Sequence, residues 1–194
     1  GGTGPSFGGN GTGVAVMFSS ARDATISSTS PTANFGLTTS CSISGGEVTS
    51  SCLLKWDLGS IPTNAVIDAA QFVFDFHDGS VSSFDIHQVN GAWQEVDVNW
   101  TKRDAANNWS SPGCNSVPSD RTSAPVATFV GKAGVQSITL KSLGRAMVQN
   151  WVVNPAANKG IIIRNTTGTL DRLSMRSAQY SDASSRPRIW ISYH

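Results

Sequence analysis

The sequence predicts an all-β domain, a jelly-roll-like β-sandwich with one short helix. Three observations carry that prediction. Serine and threonine supply 44 of the 194 residues and glycine 19, while Glu47 and Glu95 are the only glutamates, so strand and turn formers outweigh helix formers. Short runs in which apolar and polar residues alternate recur between turn clusters. No strand–helix–strand rhythm runs through them, which argues against a parallel α/β architecture.

Residues 1–13, G-G-T-G-P-S-F-G-G-N-G-T-G, read as a Gly-rich linker. Gly9, Gly11 and Gly13 resemble a nucleotide-binding loop only in spacing, because no strand precedes them and no helix follows. Residues 14–194 then read as a single sandwich module. Strands are expected at Val14–Phe18, Ala24–Ser28, Cys52–Asp57, Gln71–Phe76, Ser83–Val89, Ser137–Leu140, Gly160–Arg164, Arg172–Ser177 and Arg188–Tyr193. Alternation is clearest where Phe72, Phe74 and Phe76 oppose Val73 and Asp75, and where Ile189, Ile191 and Tyr193 oppose Trp190 and Ser192. One helix is expected from Leu143, Met147 and Trp151 at i, i+4 and i+8, with Ser142 capping its start and Pro155 ending it.

Charge and cysteine content narrow the function classes. Charged residues are 14 % of the chain and the net charge is +1, which does not suit a nucleic-acid binder with clustered basic residues. No run approaches the roughly 18 apolar residues of a membrane span. A hairpin turning at Gly46–Glu47 sets Cys41 opposite Cys52, so a disulfide is expected there, and with it an oxidising compartment. Two buried thiols are the alternative. Cys114 is left over.

Six segments, in order, resemble the bacterial DNRLRE-domain family: D-A-T-I-S-S-T-S-P-T-A-N-F-G (23–36), S-C-L-L-K-W-D-L-G-S-I-P (51–62), W-Q-E-V-D-V-N-W-T-K-R-D (93–104), the helix ending at Trp151, K-G-I-I-I-R (159–164) and S-S-R-P-R-I-W-I-S-Y (184–193). The resemblance implies a jelly-roll module of secreted and surface bacterial proteins, set beside polysaccharide-degrading or adhesive domains. Some members of that family are carbohydrate-binding modules for acidic polysaccharides, alginate among them. The chain departs from the family pattern at the Cys41–Cys52 pair, in the stretch 112–125 and at Trp190.

The residues themselves give little sign of an enzyme. There is no H-E-x-x-H, paired-Cys metal spacing, G-x-S-x-G elbow or Walker loop. Asp75, His77, Asp78, Asp85 and His87 form the densest acid/imidazole cluster, and ordinary solvated positions account for it. Sugar binding asks for an aromatic ring to stack on a pyranose, flanked by hydrogen-bonding groups, and for Arg or Lys where the sugar is acidic. Trp56 and Trp151 read as core, and Trp93 and Trp100 as framework. Trp109, in a polar loop near Lys102 and Arg103, and Trp190, facing away from the isoleucines, are the candidate platforms. Arg172 and Arg176 share one face of a strand and are candidate carboxylate grips.

A structural Ca²⁺ is a further candidate, with Asp23, Asp57, Asp104 and Asp120 as eligible ligands that no spacing organises. The reading is therefore a non-catalytic, extracellular carbohydrate-binding module. Its expected partners are a polysaccharide, with an acidic one expected, and a tethered catalytic or adhesive domain in the same polypeptide. A structural or adhesive module without sugar affinity is the competing reading.

Overall fold

The computed structural model describes residues 13–19 and 21–194, so all but Gly13 of the expected 1–13 linker lies outside the described residues. Two antiparallel sheets stack face to face, as the sequence predicts. The first runs in the order β1 (Val14–Phe18), β11 (Arg188–Tyr193), β5 (Ile67–Asp78), β10 (Leu173–Arg176), β3 (Ser40–Ile43), with β8 (Gly134–Thr139) on the other edge of β5. The second runs β2 (Ala21–Ser27), β4 (Ser50–Trp56), β9 (Ile161–Asn165), β6 (Ser83–Gln88), β7 (Ala127–Val130). Strand β7, only A-T-F-V, carries no alternation long enough to read from sequence, yet Phe129 pairs with Phe84 and is buried with it.

Strand alternation builds the core between the sheets. Phe72, Phe74 and Phe76 turn inward from β5 and meet Trp56, Phe129 and Phe84, in a chain of rings with centroids 5.3–5.9 Å apart. Each such contact adds about 0.5–1.5 kcal/mol to the burial of the rings themselves.

A second core lies on the outer face of the second sheet. Central strands β4 and β9 carry unbroken apolar runs, C-L-L and I-I-I, which are buried on both faces. The long loop 90–126 covers the outward residues Leu53 and Ile162 with Trp93, Val98, Trp109 and Cys114. Asp120 holds that loop: its carboxylate accepts from the backbone amides of Ser110, Ser111 and Ser116 at 2.9–3.1 Å.

Cys41 and Cys52 form the expected disulfide, with Cα atoms 5.9 Å apart. Its setting differs from a simple hairpin rung. Ser44 and Ser50 pair at the turn, but β3 and β4 then diverge into different sheets, so the bond joins the two layers across the core. Closing a loop of this length contributes about 3 kcal/mol.

Helix α1 (Ser142–Val153) stops before Pro155 as expected, but its buried stripe is Gly144, Met147, Val148, Trp151 and Val152. Leu143 is 58 % exposed instead of buried. Leu140 packs over Gly144, where a Cβ would stand 2.8 Å from Leu140 Cβ. Ser142 makes no cap; the N-cap is Lys141, which has no side-chain cap bond. Gln149 ties the helix to β5, accepting from Ile67 N and donating to Ala65 O, each at 2.9 Å.

Candidate functional site

Strand β10 sorts its side chains as the alternation predicts. Leu173 and Met175 enter the core, while Arg172 and Arg176 face outward on either side of Ser174. Pairing with β3 sets Ser174 against Ser42, their hydroxyls 3.2 Å apart, and Arg176 against Ser40. The Arg176 guanidinium lies 4.1 Å from the Tyr180 ring centroid, a cation–π contact that fixes its direction. Arg186 secures that tyrosine by donating from Nε to Tyr180 O at 2.8 Å.

Beside Arg172, where β3 approaches β2, a groove of about 270 Å³ opens. Among the described residues, its lining is Ser or Thr except for Phe35, Val48 and Arg172. Some hydroxyls are already engaged: Thr25 Oγ1 accepts from Ser42 N at 3.1 Å, and Ser44 donates to Val48 O at 2.6 Å. Phe35 is half-buried, and no carboxylate lines the groove. Sequence reasoning missed this groove. Alternate serines at 40, 42 and 44 were its legible signal, but only the pairing of β3 with β10 gives them a shared face.

Trp190 is half-buried on the same outer face of the first sheet, in register between Met17 and Gln71. It stands five residues along β5 from Phe76, where β10 joins, or about 17 Å. Arg188 lies between them along that face. Trp190, Arg172 and Arg176 therefore share a surface without forming one pocket.

The loop candidates fare differently. Trp109 is 4 % exposed and donates from Nε1 to Asn99 O at 3.0 Å, inside the second core. A ring so enclosed offers no face to a sugar, which corrects the expected platform. The polar residues around Trp109 in sequence gave no hint of this, because its apolar partners Leu53 and Ile162 come from distant strands. Lys102 is exposed, and Arg103 is half-buried and donates to the Ala92 carbonyl at 3.5 Å.

The acid/imidazole cluster is divided between sheets: Asp75, His77 and Asp78 belong to β5, and Asp85 and His87 to β6. Burial and then Arg121 hold the His87 pKa below its usual value. Among the described residues, no three His, Cys, Asp or Glu side chains come together to hold a metal ion. The four eligible aspartates bind backbone amides instead, as Asp57 does to Gly59 N and Asp104 to Ala106 N, both at 2.9 Å. Asp23 accepts from Ala178 N and is 1 % exposed; burial, and to a lesser degree Glu95, push its pKa up to about 7. Burial also pushes the Cys114 thiol up to about 12, so it stays protonated and unreactive at neutral pH.

The sequence model of a family described as "Carbohydrate-binding module family 96" matches residues 14–160, about three-quarters of the chain. That span runs from β1 through α1 and ends just before β9, so Arg172, Arg176 and Trp190 lie beyond it. No curated protein matches the chain.

Proposed function

The chain belongs to carbohydrate-binding module family 96, and from that premise we propose that it is a non-catalytic module that grips an acidic polysaccharide on the outer face of its first sheet. The observation that carries this reading is the groove beside Arg172, built from hydroxyls and one aromatic ring with no carboxylate in its lining. Short Ser and Thr side chains lose little rotamer freedom on binding and can both donate to and accept from sugar hydroxyls. Arg172 supplies the charge, and its planar fork matches a uronate carboxylate through two parallel hydrogen bonds. Arg176 and Trp190 extend the same face, so a polymer longer than the groove meets further cationic and aromatic contacts.

The disulfide supports a secreted or surface location, since such bonds persist in oxidising compartments. In that setting the module acts by effective concentration, holding a tethered catalytic or adhesive domain at the polymer. Retention on alginate, pectate and neutral glycans at low and high salt tests the reading. The expected result is saturable binding to the acidic polymers that weakens with salt and falls at least tenfold in Arg172→Ala/Arg176→Ala. Absence of retention on every glycan overturns it in favour of a structural or adhesive module.

A further inference from the structure

The far end of the β2–β4 pair holds a cavity of about 500 Å³, lined among others by Arg22, Lys55, Asp57, Trp56 and Trp151. Arg22 and Lys55 stand directly opposite each other in the strand register. Like charges at such a position destabilise a sheet. Neither forms an ion pair within 4.0 Å: the ion pairs among the described residues are those of His87 with Asp85 and His194 with Asp68.

A third cation is held nearby by backbone constraints. Gly160 takes φ +79° and lies so close to β4 that a Cβ would stand 2.1 Å from Leu54 O. Asn158 donates to Trp56 O at 2.8 Å, and Trp93 Nε1 donates to Lys159 O at 2.8 Å, which fixes Lys159 beside Lys55. Burial lowers the Lys55 pKa, and Arg22 and Lys159 lower it further, opposed by Asp57. The Asp57 carboxylate also accepts from Gly59 N at 2.9 Å. Lys55 is thus influenced by two further cations and one carboxylate.

The cavity wall carries a separate deficit. Trp151 is 1 % exposed, and its indole Nε1 has no hydrogen-bond partner among the described residues. A buried donor left without an acceptor forfeits the hydrogen bond it makes to water in the unfolded chain. Opposed cations call for an anionic group rich in acceptor oxygens.

We propose that this cavity is a second glycan-binding site, which seats a carboxylate or sulfate ester of a polysaccharide between Arg22 and Lys55, with Trp151 in its wall. Only the ligand class rests on the carbohydrate reading above; the site is separate from the Arg172 groove. Every cavity residue falls within the span matched by the family, unlike Arg172, Arg176 and Trp190.

Nitrogen-edited NMR of the whole chain provides the test, with the Trp151 indole N–H as reporter. Trigalacturonate, a sulfated oligosaccharide and neutral cellotriose serve as probes. The expected result is a saturable shift of the Trp151 resonance with one or both anionic probes and none with cellotriose. Which anion acts distinguishes carboxylate from sulfate. In Arg22→Gln/Lys55→Gln the affinity should fall at least tenfold, while the charge-matched Lys132→Gln/Lys141→Gln leaves it unchanged. A Trp151 resonance silent to both anions overturns the proposal, as does unchanged affinity in the Arg22/Lys55 variant. Polymer retention with a silent Trp151 overturns the cavity and leaves the carbohydrate reading standing. A responsive Trp151 without polymer retention does the reverse.

Discussion

The two ends of the β2–β4 pair differ in how they settle their polar groups. At the Ser27/Ser50 end the side chains are short and neutral, several hydroxyls bond one another, and the nearby disulfide holds the two sheets together. The Arg22/Lys55 end sets two cations in direct opposition and leaves a buried indole donor unmet. One pair of strands therefore carries a self-satisfied surface at one end and a frustrated one at the other. Frustration that folding does not resolve points to a ligand that does.

The largest effect should come from releasing the satisfied end. Cys41→Ala/Cys52→Ala is expected to lose about 3 kcal/mol in urea denaturation and to weaken retention on acidic polymers as β3 parts from β4. Next is Asp23, which lies between the two ends of β2. Its folded pKa of about 7 exceeds the ordinary 3.8, so the folded chain holds this proton more tightly than the unfolded chain. Its contribution to stability is full below about pH 3.8, declines as pH rises, and is lost above about pH 7. Asp23→Asn keeps an acceptor for Ala178 N and removes the buried charge. It should gain about 2 kcal/mol at pH 8 and almost nothing at pH 4, read from thermal melts at both values.

A smaller effect sharpens the contrast from the frustrated end. Lys55→Gln removes the opposition to Arg22 and should raise stability by about 0.5 kcal/mol at low salt, with the gain shrinking at high salt. Arg172→Ala at the other end should change stability by less than about 0.5 kcal/mol, because the side chain is exposed to solvent. Its effect belongs to binding alone. A large loss of stability there would show that the groove depends on the arginine for its shape.

Local pattern made much of this legible. The phenylalanines of β5, the isoleucines of β11 and the arginines of β10 all face as alternation requires, and the Cys41–Cys52 disulfide is the one expected from the turn at Gly46–Glu47, although the strands it joins lie in different sheets. What sequence hid depends on contacts between distant segments. Trp109 is buried because the second sheet needs a cover for its outer apolar face, and the clue lay in the unbroken runs of β4 and β9, not near the tryptophan. Arg22, Lys55 and Lys159 look like isolated surface charges until the strand register brings them together.

The run Ile161–Ile163, buried on both faces in the finished sheet, has a different character before folding is complete. Three consecutive β-branched apolar residues in an open chain form a template for pairing with other copies. Lys159 and Arg164 flank them and act as gatekeepers, since stacking identical segments would bring like charges into line. Neutralising Lys159 would thus be felt first as a lower yield of soluble protein, before any change in the folded state could be measured.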